Sequence, residues 1–95
     1  MAAAAVVELS EDAQRQIGRC MTMPSVGDVT VQLRVIFSQD GIAKAAHVSD
    51  PARMDSDMAY RAMAENASRA VFACPVHLPL ERYSDWRELT LNFGP

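Results

Sequence analysis

The chain has no basic stripe: its 95 residues carry 9 Lys and Arg against 12 Asp and Glu, a net charge of −3. With a pI near 5.2, it offers no electrostatic footprint to a phosphate backbone, which argues against nucleic acid as a partner. Aromatic residues are few and not interleaved with basic ones, so a platform for stacking single strands is not supported either. No apolar run approaches the roughly 18 residues of a membrane span. With only four glycines, close backbone approach to a cofactor has little support. There is no glycine-rich phosphate loop, no metal-type carboxylate cluster and no Ser/His/Asp arrangement, so no catalytic residue or cofactor site can be named.

Cysteine is scarce as well. Cys20 and Cys74 each close a stretch that reads as an amphipathic helix, and each precedes a proline, in Cys20-Met21-Thr22-Met23-Pro24 and Cys74-Pro75. A bond between them would tie two helix ends together and persist only in an oxidising compartment. Two reduced thiols packed as small hydrophobes suit the same spacing, and spacing alone leaves both readings open. A zinc site built from the two cysteines with His47 and His77 has ligand-like spacing only in Cys74-Pro75-Val76-His77; Cys20 and His47 are isolated, and no metal is expected. A Cys74 nucleophile would sit at a helix C-terminus, where the dipole disfavours a thiolate.

What is present is alternating structure. Residues 1–8 read as a flexible tail or the end of a helical arm, and 9–95 as one small domain. The opening Met1-Ala2-Ala3-Ala4-Ala5-Val6-Val7 is too short for a signal peptide and lacks a basic n-region. The expectation is a piece of a longer exported chain, with Met1 an added start. Ser10, followed by Glu11 and Asp12, predicts a helix start, with Ala13, Ile17, Cys20 and Met21 on one face and Pro24 as the latest stop. Val29, Val31, Leu33, Val35 and Phe37 alternate with polar neighbours, apart from Ile36, and predict a strand over 29–37. Gln39-Asp40-Gly41 supplies a turn into a weaker partner strand over 42–48. A second helix is expected from Asp55 or Ser56, with Ala59, Ala62, Met63, Ala67, Ala70, Val71 and Cys74 as its apolar stripe. After a connection through Pro79, residues 88–93 alternate as a last strand.

This order predicts an α+β domain: a three-stranded antiparallel sheet with helices packed on one face. Strand 29–37 is central, leaving 42–48 and 88–93 as edges with unpaired main-chain groups. The candidate partner-binding residues are therefore Glu88, Leu89, Thr90, Leu91, Asn92 and Phe93 on one edge and Ile42, Lys44 and Ala46 on the other. Lys44 is the one evident guard, and an extended segment could add to either edge. Tyr83 and Trp86 read as packing at the rim of the core rather than as interface anchors. The charges of Glu81, Arg82, Asp85, Arg87 and Glu88 read as a solvated face.

The segment from Cys74-Pro75-Val76-His77-Leu78-Pro79-Leu80-Glu81-Arg82-Tyr83 through Ser84-Asp85-Trp86-Arg87-Glu88-Leu89-Thr90-Leu91-Asn92-Phe93 resembles the C-terminal signature of the TolA periplasmic domain, in its alphaproteobacterial form. The resemblance spans about Leu9 to Pro95. It departs from the family pattern at Met21, where a tryptophan is usual, and at Phe93-Gly94-Pro95, where Phe-Asp-Pro is usual. The architecture is also similar to the TonB C-terminal domain, so a TonB-type transducer contacting outer-membrane receptors is the alternative. The resemblance implies a non-enzymatic, periplasmic domain of the Tol-Pal system. It also implies an inner-membrane anchor in the full-length protein, TolQ and TolR acting through that anchor, and TolB and Pal as partners in envelope integrity and division. Colicins and filamentous-phage coat protein would exploit the same domain, and TolB's N-terminal segment would bind by strand addition. It further implies a Cys20–Cys74 disulfide, since the periplasm is oxidising.

Overall fold

A computed structural model describes residues 2–21 and 29–94, with side chains from Val7 onward. The chain runs through α1 (Ala2–Gly18), β1 (Val31–Phe37), β2 (Ala43–Val48), α2 (Arg53–Ser56), α3 (Met58–Ala73), a 3-10 turn (Leu80–Arg82), α4 (Tyr83–Trp86) and β3 (Glu88–Phe93). The sheet order is β2-β1-β3, antiparallel throughout. Alternation decides the layers. Val31, Leu33, Val35 and Phe37 are buried under the helices while Gln32, Arg34 and Ile36 stay exposed on the uncovered face. Leu89, Leu91 and Phe93 extend the buried face through β3. The α+β arrangement with a central first strand is as the alternation predicts.

β1 begins at Val31 where 29 is expected and β2 at Ala43 where 42 is expected; three stretches differ more. The first helix begins at Ala2 and not at Ser10. Alanine has the highest helix propensity, so the alanine run propagates the helix into the stripe of Leu9, Ala13 and Ile17 without a cap at Ser10. That helix closes at Gly18, where Cys20 N–H donates to the Ile17 carbonyl and Met21 N–H to that of Gly18. Cys20 and Met21 therefore lie in the closing turn, and Pro24, the expected stop, lies outside the described residues.

The second helix divides. α2 is a single turn, and α3 is capped by Asp57 in place of Asp55 or Ser56: the Asp57 Oδ1 accepts the Tyr60 N–H at 3.1 Å. Arg53 reaches Asp57 Oδ2 at 3.2 Å and lies 4.7 Å above the Tyr60 ring, which closes the joint between the two helices. Tyr60 and Asn66 belong to the buried face of α3, which polarity alone would place outside.

The stretch after Pro79 is the third difference: α4 turns Trp86 into the core at 1% exposure. Its Nε1–H donates to the Pro79 carbonyl at 2.7 Å, and its ring meets Phe37 and Tyr83 edge-on. Tyr83 O–H donates to the Phe37 carbonyl at 2.6 Å. Both aromatics serve packing, as the sequence reading has it. Among the described residues no helix is long and apolar enough to cross a membrane.

Candidate functional site: the free edges of the sheet

The direction of each main-chain group at an edge follows from the ladder. Phe37 N–H donates to Arg87 O at 2.8 Å. With the β1–β3 register that places Phe37/Arg87, Val35/Leu89, Leu33/Leu91 and Val31/Phe93 as the hydrogen-bonded pairs. Glu88, Thr90 and Asn92 then turn their N–H and C=O groups away from β1, toward the free edge. These three also carry their side chains on the uncovered face. There Glu88 meets Arg34 at 3.3 Å and Asn92 Oδ1 accepts from Gln32 Nε2 at 3.2 Å. The Arg34–Glu88 pair is about half exposed on each side and contributes little to stability.

That edge is not open along its whole length, which corrects the expectation of two bare edges. The Asn92 N–H donates to Gln14 Oε1 of α1 at 2.8 Å. Val7, Ser10, Glu11 and Gln14, spaced to fall on one side of the helix, line a cleft with Thr90 and Asn92. A second glutamine, Gln16, makes a two-way clasp: its Oε1 accepts the His77 N–H at 2.7 Å and its Nε2 donates to the His77 carbonyl at 3.0 Å. Two side-chain amides thus act on α1 as short peptide surrogates. Sequence reasoning passed over both, because a glutamine beside an apolar stripe looks like any solvated helix residue.

At the opposite edge, Ser49 N–H donates to Gln32 O, so His47 and Ala45 face β1 while Ala46 and Val48 face outward. The register shifts between Ile36 and Phe37, opposite the segment that holds exposed Lys44. Ile42 precedes β2 and is occupied in the turn, its carbonyl accepting from Ser38 N–H and from the Ser38 hydroxyl. Of the three residues expected on this edge, Ala46 alone presents its backbone outward in an unshifted part of the ladder.

Cys20 and Cys74 are joined by a disulfide with a Cα–Cα distance of 6.1 Å, tying the turn after α1 to the end of α3. His77 lies beside the bridge, while His47 stands on β2 opposite Arg34. Two carboxyls are held below the ordinary value of 3.8. For Asp40 the main cause is the hydrogen bond from the Ser38 hydroxyl, and for Asp57 it is the Tyr60 N–H followed by Arg53. Asp57 belongs to a helix cap, and Asp40 to the turn that leads into β2, where Ile42 and Lys44 add to the lowering.

Neither a family model nor a curated protein matches the chain. Among solved structures, the fold is similar to the solution NMR structure of TolAIII bound to a peptide derived from the N-terminus of TolB. The two share 18% identity over 90% of this chain and 71% of that one, with a TM-score of 0.55. At that identity the likeness shows a TolA domain III-like fold.

Proposed function

We propose that the chain is the terminal, partner-binding domain of a TolA-type protein in the Tol-Pal system of the cell envelope, and that it acts by binding and not by catalysis. The observation that carries the reading is the β3 edge. It is the outer strand of a sheet built like that of TolAIII, a domain solved with a TolB-derived peptide, and it directs the main-chain groups of Glu88 and Thr90 outward. An extended segment laid along Glu88–Phe93 would gain main-chain hydrogen bonds, with side chains at alternate positions supplying selectivity. The N-terminal segment of TolB is the proposed partner, β3 the preferred edge and β2 the second. In this reading the protein works in the periplasm, the alanine-rich start of α1 is the end of a helical arm, and the arm leads to an inner-membrane anchor that engages TolQ and TolR. Pal, colicins and phage coat protein complete the proposed set of partners, and envelope integrity and outer-membrane constriction in division are the processes served.

The test is a titration of isotope-labelled domain with a synthetic TolB N-terminal peptide. Strand addition predicts amide shifts concentrated at 88–93. Shifts confined to the outer face of α3, at Arg61 and Glu65, with both edges silent, would remove the proposal.

A further inference from the structure

We infer that Gln14 is a gate on the β3 edge: its side-chain carbonyl occupies the Asn92 N–H that an added strand needs, so the two compete for one donor. The inference rests on the strand-addition reading and concerns how that site is regulated. Three observations support it. Asn92 is one of three β3 residues whose main-chain groups face the edge, and among the described residues it is the one whose outward N–H has a side-chain acceptor, at 2.8 Å. Gln14 lies off the buried stripe of Leu9, Ala13 and Ile17, half-buried, so its side chain can swing without opening the core. The cleft between α1 and the edge is lined by Val7, Ser10, Glu11 and Gln14, so a strand entering there must pass the gate.

The chemistry makes the gate reversible. A glutamine carbonyl and a peptide carbonyl are equivalent neutral acceptors, so an incoming strand exchanges one hydrogen bond for another of the same kind. Strand addition can begin at Glu88 and Thr90 and then displace Gln14 at Asn92, two residues further along. The gate therefore weakens every strand that reaches Asn92 by about the same factor and leaves untouched a segment that ends before it.

Two variants read it in opposite directions. Gln14→Ala removes the competing acceptor, and affinity for the TolB N-terminal peptide is expected to rise about twofold to tenfold, the range of one ordinary hydrogen bond. Gln14→Glu offers a charged acceptor, which holds the donor more tightly, and is expected to weaken binding. In the free domain the Asn92 amide should exchange faster in Gln14→Ala and no faster than wild type in Gln14→Glu. Wild-type affinity in both variants, with peptide-induced shifts still at 88–93, would overturn the gate and leave strand addition intact. Shifts at 43–48 in place of 88–93 would also overturn it, the partner then using the ungated edge. A peptide that moves no amide in any variant would defeat the gate together with the reading beneath it.

Discussion

Gly41→Ala is expected to be among the most damaging single changes available in this domain, for two separable reasons. Gly41 has φ of 82°, a left-handed conformation that costs an L-residue roughly 1–2 kcal/mol. It is also buried where the hairpin turn crosses the segment after Cys74: a Cβ there would stand 1.9 Å from the Val76 carbonyl oxygen. Backbone cannot yield as a flexible side chain does. Relief requires the two segments to part, which breaks the bond from Val76 N–H to the Gly41 carbonyl, now 3.0 Å. Val76 is 2% exposed, and stranding its N–H costs about 1–3 kcal/mol. Together the two effects reach about 2–5 kcal/mol, a large part of the 5–15 kcal/mol that holds a typical domain. The assay is urea denaturation of wild type, Gly41→Ala and Gly41→Asn. Asparagine tolerates the left-handed region but brings the same Cβ, so it should recover little. Near-complete recovery by asparagine, or a loss below about 1 kcal/mol with alanine, would show that the crossing does not constrain the turn.

Three further outcomes are expected. Reducing the disulfide, which spans 54 residues, should lower stability by about 4 kcal/mol and steepen the urea slope, because the unlinked unfolded chain exposes more surface; an unchanged midpoint would contradict the bridge. Asp57 is held below its ordinary 3.8 in the folded state, so the stability it supplies is fully present above that value and lost as pH falls through the lower, folded one. Asp57→Asn keeps a capping oxygen without the titration, and its urea midpoint should fall less between pH 5 and pH 2 than wild type, parallel curves refuting the assignment. The Asn66 Nδ2 is buried without a partner among the described residues, and Asn66→Leu, which removes it at similar size, should stabilise by about 1–3 kcal/mol in the same assay; a loss of stability would mean that the amide has found a partner.

The strands were legible because period-2 burial is written one residue at a time: Val31, Leu33 and Val35, then Leu89 and Leu91, name their own face. The sheet order followed from strand 29–37 having the longest apolar face. Helix boundaries were less legible, since Ser10, Asp55, Ser56 and Asp57 are all good caps by type, and only the geometry that brings the Tyr60 N–H to Asp57 chooses among them. α4 was missed because its four residues are too few for a period. The candidate edge was found by topology, but its gate was not. Gln14 and Gln16 act across separations of 78 and 61 residues, and nothing local distinguishes them from solvated residues.

The disulfide also determines how the domain carries mechanical load. A pull applied between α1 and β3 passes from Cys20 directly to Cys74, so β1, β2 and α3 sit in a covalent ring off the line of tension. Fully drawn out, 54 residues would lengthen the chain by about 180 Å beyond the 6.1 Å that the bridge spans; while the bond holds, that length stays locked. Under tension the oxidised domain can yield by peeling α1 or shearing β3, but its central strand cannot be drawn out into extended chain.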